Sequence, residues 1–305
     1  MKSWCRMKSK ARYRIEYFTK SLLIFREGLS LRDKALLIPY GLIRVTALTL
    51  IGSRIFSHHL NIKIERLTFP FFDVKLKNQY GLFHCRKRSG DLWICQEAYE
   101  LDETEYINNK VEEGLFIDIG ANVGRYTVMA ARKMKEKGEV IAIEPEPDNF
   151  AALIKNIELN KLTRIRAFCV AATSSDESIR LFINPNDTGG HSVINQTSNG
   201  YDFIIVKGLK LDTILRDLLH LDVKLIKIDA EGATPEVLIG AEETIASNTD
   251  LRILFEHYND THFERSCEIL RKHGFTVRPM TSFSYNFVAT RKTSILYEER
   301  GKHAY

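Results

Sequence analysis

The chain has 305 residues, of which 44% are hydrophobic and 27% are charged. These fractions are typical of globular proteins, and they exclude a collagen, a coiled coil or a disordered chain as the main structure. The cysteines are odd in number and widely spaced, with no CxxC pair, so neither a disulfide scaffold nor a zinc module is expected. This cysteine usage predicts a reducing, cytoplasmic location.

The net charge of +5 is unevenly distributed along the chain. Residues 1–80 contain 16 Lys and Arg against 5 Asp and Glu, a net of +11, whereas residues 81–305 contain 28 against 34, a net of −6. This asymmetry predicts a basic N-terminal region that meets a polyanion and a body that holds a small-molecule site.

Residues 1–70 are expected to form a basic, partly apolar helical region. Their most apolar stretch, Leu36–Ile51, has 16 residues and is interrupted by Pro39, Gly41 and Arg44. A membrane-spanning helix needs about 20 apolar residues, so a span is not expected. Two alternatives stay open: the helix packs on the body with its basic residues in solvent, or it makes a peripheral contact with an anionic membrane.

Residues 71–113 are expected to form a small cap made of a hairpin and a helix. Alternating apolar residues predict short strands at Val74–Lys77, Gly81–Cys85 and Asp91–Cys95, and the next segment predicts a helix at Leu101–Lys110.

Residues 114–300 alternate between apolar strands and amphipathic helices. Strands are predicted at Leu115–Ile119, Val140–Ile143, Ile165–Val170, Ile179–Ile183, Val223–Ile228 and Arg252–Phe255, with a closing pair at Val277 and Phe287–Thr290. The predicted helices include one capped by Asp148, Leu211–His220 and Phe263–His273. This order predicts an α/β fold with a doubly wound, mostly parallel sheet, which binds ligands at the carboxyl ends of its strands.

The first strand of the body ends in a glycine-containing bend that includes Asp118, Gly120, Asn122 and Gly124. The glycines permit a tight turn and a close approach of a ligand to the backbone. The bend departs from the dinucleotide fingerprint GxGxxG because Asn122 replaces the middle glycine. A carboxylate at Asp118 would repel a pyrophosphate, but it suits a ligand with a cationic amino-acid end, such as S-adenosyl-L-methionine.

Glu144 ends the next strand, 24 positions after Gly120. An acid at this place is expected to accept hydrogen bonds from ribose hydroxyls. The two strand ends together predict an adenosine-containing ligand, without separating S-adenosyl-L-methionine from NAD.

A later strand ends with Lys227, Asp229 and Glu231 at alternate positions, which places the three charged groups on one side of an extended segment. They indicate either a structural lysine–carboxylate network or a clamp and general base for a substrate hydroxyl. Two carboxylates could also hold a divalent cation, but no metal is predicted. His257 ends the following strand and is a candidate base.

The loop of residues 184–192 is rich in turn-forming and polar residues, which predicts a mobile substrate loop or lid. His191 in this loop is an alternative candidate base.

Five segments, taken in order, resemble the FkbM family of S-adenosylmethionine-dependent methyltransferases: FIDIGANVGRYT, VIAIEPEPDNFAALIKNIELN, LKLDTIL, LIKIDAEGATPEVLIGAEETI and ILFEHY. The resemblance covers residues 95–290 and implies a Rossmann-like methyltransferase fold that methylates a hydroxyl. It also implies a set of cofactor contacts, from the methionine end through the ribose to the adenine: Asp118, Gly120, Asn122 and Gly124, then Glu144 and Pro145, then Ala171.

The expected function is therefore S-adenosyl-L-methionine-dependent O-methylation of a sugar, glycan, glycolipid or glycosylated metabolite, with Asp229, Glu231 and His257 as catalytic residues. A nucleic-acid methyltransferase is one alternative, but the two acids are poorly suited to face a phosphate backbone, and no nucleic-acid partner is expected. An NAD-dependent oxidoreductase and a non-catalytic adenosine-binding scaffold are the others.

Overall fold

The structure is a computed structural model that describes residues 19, 23–51, 70–184, 188–194, 200–218, 222–257, 260–281 and 285–291. It divides into two compact units, Met1–Leu101 and Asp102–Tyr305. Most of the predicted N-terminal region lies outside the described residues, and the predicted domain limits at residues 70 and 113 remain predictions. None of the helices in the described ranges has both the length and the hydropathy needed to cross a bilayer.

In its described residues, the first unit contains a 3-10 turn, two helices and a hairpin. Their limits are Ile24–Glu27 for the turn, Leu31–Ile51 for α1, Val74–Asn78 for β1, Gly81–Cys85 for β2 and Asp91–Cys95 for α2. Strands β1 and β2 pair antiparallel, which confirms the predicted hairpin. Helix α3, Leu101–Lys110, begins at the last residue of this unit and is also as predicted.

The prediction of a strand at Asp91–Cys95 is wrong, because this segment is helix α2. The backbone N–H groups of Trp93 and Ile94 both donate to the carbonyl of Gly90, at 2.9 and 3.0 Å. The Asp91 carboxylate accepts hydrogen bonds from Arg86, whose Nε lies 2.7 Å away. These local bonds stabilise a helical turn, and apolar alternation over five residues does not distinguish a strand from a single turn.

The second unit is built from ten strands and six further helices among the described residues. The strands are β3 (Gly114–Ile119), β4 (Gly138–Ile143), β5 (Ile165–Phe168), β6 (Ala171–Ala172), β7 (Ser178–Phe182), β8 (Phe203–Leu209), β9 (Val223–Ile228), β10 (Arg252–Glu256), β11 (Phe275–Pro279) and β12 (Asn286–Arg291). The helices are α4 (Arg125–Met134), α5 (Pro147–Leu159), α6 (Leu211–Leu215), α7 (Thr234–Ile239), α8 (Glu242–Ser247) and α9 (Asp260–Lys272).

Seven strands form the central sheet in the order β11-β12-β10-β9-β3-β4-β5. Strands β10, β9, β3, β4 and β5 pair parallel, and β12 pairs antiparallel with both of its neighbours. This confirms the predicted Rossmann-like, doubly wound α/β fold with an antiparallel closing strand. The central strands are apolar on both faces, and Phe116, Ile117 and Ile141 are fully buried.

A second, three-stranded sheet has the order β6-β8-β7. The strand predicted at Ile179–Ile183 exists as β7, but it belongs to this sheet and pairs antiparallel with β8. Strand β8 was not predicted from the sequence. Sheet membership depends on long-range pairing, which the local periodicity of β7 and β8 does not encode.

Two helix predictions need correction. Helix α5 is capped by Glu146 and not by Asp148, since the Glu146 side chain accepts hydrogen bonds from the backbone N–H of Asp148 at 3.1 Å and of Asn149 at 2.7 Å. The helix predicted at Leu211–His220 is α6 followed by a 3-10 turn to Leu218, and its last predicted residues lie outside the described residues.

Candidate active site

A cavity lies at the carboxyl ends of the central strands in the second unit. Five of the seven residues predicted to contact a cofactor line it: Gly120, Asn122, Glu144, Pro145 and Ala171. Parallel strands bring their carboxyl ends to the same edge of the sheet, so the ends of β3, β4 and β9 meet there. The topology thus joins residues that are far apart in the sequence.

The bend at Gly120 fits tightly between two neighbouring strand ends. Its backbone N–H donates to the carbonyl of Ile143 at 3.0 Å, and the N–H of Asp229 donates to the carbonyl of Ile119 at 3.0 Å. A Cβ atom on Gly120 would lie 1.8 Å from the carbonyl oxygen of Asp229, and the residue has φ +74°. Only glycine fits this position, because both the space and the backbone conformation exclude a side chain.

Gly124 has a different role, since it does not line the cavity. It has φ +85°, and a Cβ there would lie 2.6 Å from Cδ1 of Leu153 on helix α5. Gly124 therefore permits the close packing of α4 and α5, and its predicted contact with a cofactor stays a prediction.

Glu144 forms the acidic wall of the cavity. Its Oε2 accepts a hydrogen bond from the backbone N–H of Asn122 at 2.8 Å, and its Oε1 accepts one from the N–H of Glu146 at 3.0 Å. The pKa of Glu144 is raised to about 7, mainly by burial and to a lesser extent by the charges of Glu146 and Asp229, while the two backbone hydrogen bonds oppose the rise. The group thus titrates near neutral pH.

The polar groups of the cavity wall also suit a ligand that joins an adenosyl group to an amino-acid end. The Oδ1 of Asn122 is buried and has no hydrogen-bond partner among the described residues. A buried acceptor without a partner is costly, and a ligand with an N–H or O–H donor would satisfy it. Glu144 beside it offers carboxylate oxygens to hydroxyl donors, as a ribose requires.

Asp118 lies behind the bend and does not line the cavity. It is buried, and its Oδ2 accepts a hydrogen bond from Oγ1 of Thr127 at 2.6 Å. Burial raises the pKa of Asp118, while the positive charge of Lys227 opposes this shift. Its predicted contact with the amino end of a cofactor therefore stays a prediction.

The Lys227-x-Asp229-x-Glu231 segment contributes both a structural ion pair and two cavity residues. Nζ of the buried Lys227 lies 3.1 Å from Oδ2 of Asp229 and 5.1 Å from the ring centroid of Tyr126. Asp229 and Glu231 both line the cavity. Asp229 is thus ion-paired to Lys227 and also faces the cavity, and a role as clamp or general base stays a prediction.

Glu231 is held in an unusual backbone conformation, with φ 45°. Its carbonyl accepts a hydrogen bond from Oγ of Ser192 at 2.8 Å. A left-handed conformation outside glycine costs free energy and tends to occur at functional sites. No set of three His, Cys, Asp or Glu side chains within the described ranges is arranged to hold a metal ion.

His257 follows strand β10, next to β9 in the sheet. It is buried, its ring centroid lies 5.3 Å from that of Phe263, and its backbone N–H donates to the carbonyl of Tyr285 at 2.8 Å. It does not line the cavity. Asp229 and Glu231 thus line the cavity and His257 does not, and the catalytic role of all three stays a prediction.

The loop after β7 forms another side of the cavity. Phe182 and Ser192 close its base through two backbone hydrogen bonds, of 2.8 and 3.1 Å. His191 lines the cavity, and its Nδ1 accepts a hydrogen bond from the backbone N–H of Asn184 at 3.0 Å. A neutral imidazole that accepts at Nδ1 carries its proton on Nε2, so this arrangement suits a hydrogen-bond donor better than a base. Residues 185–187 of the predicted lid lie outside the described residues.

Sequence reasoning missed several cavity residues. Asn149 is buried, lines the cavity and donates a hydrogen bond from Nδ2 to the carbonyl of Thr188 at 2.7 Å. Its place in the first turn of α5, just after Glu144-Pro145, was the available signal. Leu181 and Val193 form an apolar wall, which could not be found without knowing that β7 lies in the second sheet.

Comparisons with known proteins find one family model and several relatives. A family model described as "Methyltransferase FkbM domain" matches residues 118–277. Methyltransferase 1 of Beauveria bassiana (strain ARSEF 2860) is 22% identical over 150 residues, which cover 43% of this chain and 60% of the relative. Methyltransferase sdnD of Sordaria araneosa is 26% identical over 166 residues, which cover 45% and 64%. The chain thus spans less than two thirds of the length of either curated relative.

Among solved structures, a methyltransferase FkbM from Methylobacillus flagellatus KT aligns with a TM-score of 0.42 and 14% identity, covering 90% of this chain and 58% of that one. The family match covers more than half of the chain and contains the whole segment from Asp118 to Glu231. The chain belongs to the FkbM methyltransferase family.

Proposed function

We propose that this chain binds S-adenosyl-L-methionine in the cavity and transfers its methyl group to a hydroxyl of a sugar, a glycan or a glycosylated metabolite. One observation carries the proposal: the glycine bend and Glu144 line the same cavity as Asp229 and Glu231. This shared cavity supports a cofactor site and an acceptor site that adjoin each other.

The cofactor would be held by residues from three strand ends. Oδ1 of Asn122 in the Gly120–Asn122 bend would accept a hydrogen bond from the amino-acid end, and Glu144 would accept hydrogen bonds from the ribose hydroxyls. Pro145 and Ala171 supply apolar surface for the adenine. When bound, the cofactor supplies an electrophilic methyl group.

The carboxylates supply the acid–base chemistry. Asp229 is paired with Lys227, and we infer that it accepts the proton of the acceptor hydroxyl while Glu231 orients that hydroxyl. A positioned base typically accelerates such a step by about 10²–10⁴-fold. The cavity wall also aligns the acceptor oxygen with the methyl group. This accelerates the reaction further, because the entropy cost of bringing the two reactants together is met on binding.

The carboxylates of Asp229 and Glu231 suit a sugar acceptor. Two carboxylates accept hydrogen bonds from several hydroxyls at once, and they repel a phosphate backbone. This supports a neutral polyhydroxylated acceptor over a nucleic acid.

Calorimetry of the purified chain tests the cofactor. We expect binding of S-adenosyl-L-methionine and S-adenosyl-L-homocysteine, with no binding of NAD under the same conditions. Absence of binding of both sulfur nucleosides would overturn the proposal.

The acceptor is then tested by transfer of labelled methyl groups into cell extracts fractionated into glycan, lipid and nucleic acid. We expect label in the glycan or glycolipid fraction, and label in nucleic acid alone would contradict the proposed acceptor.

A further inference from the structure

Helix α1 of the first unit exposes a stripe of apolar side chains. Leu31, Ala35, Ile38 and Leu42 follow one another at helical spacing, so they lie along one face. All four are exposed, and the exposed fractions of Leu31, Ile38 and Leu42 are 86%, 49% and 56%. We refer to these four residues as the α1 stripe.

The opposite face of α1 is the one that packs into the first unit. Leu37 is fully buried and Tyr40 is nearly so. The buried carboxylate of Asp33 accepts hydrogen bonds from Oγ of Ser30 at 2.6 Å and from the backbone N–H of Lys75 on β1 at 3.3 Å. The helix is therefore already anchored by its other face. A surface helix normally presents polar residues to solvent, so an apolar stripe there indicates a second contact surface.

The charges around the α1 stripe are positive. Arg32 and Lys34 are exposed and flank the stripe on either side, near the start of the helix. Asp33 is the only acidic residue in the sequence of α1, and it points into the unit and not toward the stripe. Residues 1–80 as a whole carry 16 basic against 5 acidic residues.

We propose that the α1 stripe rests on the surface of an anionic phospholipid membrane, with Arg32 and Lys34 at the lipid phosphates. An apolar face bordered by basic residues is the pattern of helices that lie in the membrane interface. A second copy of the chain fits this face less well, because it would bring the same basic residues together without an acid on the stripe to offset them. The proposal does not depend on the proposed enzymatic function.

Sedimentation of the full chain with vesicles tests this proposal. We expect the chain to sediment with vesicles of phosphatidylcholine and phosphatidylserine, to stay in solution with phosphatidylcholine alone, and to be released by high salt. Ile38→Glu and Leu31→Glu each place a charge in the stripe and should weaken binding by at least about tenfold. Because both side chains are exposed, circular dichroism should show unchanged folding.

Ile205→Glu is the matched control, because Ile205 is 62% exposed on β8 of the second unit. This variant should bind the mixed vesicles as the unmodified chain does. The proposal is overturned if the unmodified chain does not bind mixed vesicles, or if the control loses binding as strongly as the stripe variants. It is also overturned if light scattering shows a dimer that Ile38→Glu converts to a monomer.

Discussion

Glu144 illustrates how one side chain serves both the fold and the candidate site. Its two oxygens accept backbone hydrogen bonds from Asn122 and Glu146, which fixes the ends of β3 and β4 beside the cavity. The carboxyl is nonetheless only 5% exposed, and its burial raises its pKa to about 7 from an ordinary value of 4.5. This side chain should therefore couple stability to pH.

We expect the free energy of unfolding to fall as the pH rises from 4.5 to 7. Between these values the folded chain keeps a proton on Glu144 that the unfolded chain has released, so rising pH favours the unfolded state. The contribution of this group is about 2–3 kcal/mol across that interval. Urea denaturation at several pH values measures the slope, and Glu144→Gln, which does not titrate, should lack this component. An equal slope in the variant would contradict the assignment.

Above pH 7, where the carboxyl is ionised, Glu144→Ala should weaken the binding of S-adenosyl-L-homocysteine by about 10- to 100-fold, because hydrogen bonds to a charged group contribute about 1.5–3 kcal/mol each. Calorimetry measures this change. Glu139→Ala is a suitable control, since Glu139 also lies on β4 but at its opposite end. An unchanged dissociation constant in Glu144→Ala would remove this residue from the cofactor site.

Lys227 pairs with the Asp229 carboxylate, with its Nζ 3.1 Å from Oδ2. Lys227→Met should destabilise the chain by about 3–5 kcal/mol, because the buried Asp118 and the partly buried Asp229 lose their counter-charge. Lys224→Met on the same strand removes a more exposed ion pair with Asp222 and should cost no more than about 1 kcal/mol. Urea denaturation at neutral pH compares the two, and equal losses would contradict a buried role for Lys227.

At the scale of the elements, the meeting of β3 and β9 depends on the lack of a side chain at Gly120. Gly120→Ala would force a Cβ to within 1.8 Å of the carbonyl oxygen of Asp229. We expect a loss of several kcal/mol in unfolding free energy and loss of nucleoside binding, measured by denaturation and calorimetry. Gly200→Ala is the control, since Gly200 has a similar φ of +69° but no atom within 4 Å. It should lose only about 1–2 kcal/mol from backbone strain. Equal effects would show that strain alone explains the Gly120 requirement.

The central strands were predictable because their chemistry is local. The run Leu115–Ile119 is apolar on both faces and ends at a glycine, and this pattern fixes a buried strand and the place of its ligand-binding end. The positions of Glu144 and Asp229 at the same sheet edge followed from this alternation. The residues at the ends of the central strands therefore make up most of the site that was predicted from the sequence.

The remaining parts of the site depend on long-range pairing. Strand β8 and the wall made by Leu181 arise from a second sheet whose partners are separated by the loop after β7. His257 ends a central strand as predicted, but the direction of its side chain toward Phe263 is set by packing with α9. Neither feature has a local signature in the sequence.

At the scale of the whole molecule, the family match and the candidate site fall within the second unit, whereas the α1 stripe lies in the first. The charge asymmetry of the sequence follows a similar division, with basic residues 1–80 and a mildly acidic remainder. The family therefore accounts for the proposed chemistry, and the first unit carries a surface that the family match does not explain.

The paired backbone of Phe182 and Ser192 separates the tip of the loop after β7 from its base. Because the base is fixed, substitutions, insertions or deletions at the tip can alter the shape presented to an incoming molecule while Leu181 and Val193 keep their places in the wall. Exchange of this loop between relatives should thus change the proposed acceptor site, while Gly120 and Glu144 keep their places at the strand ends.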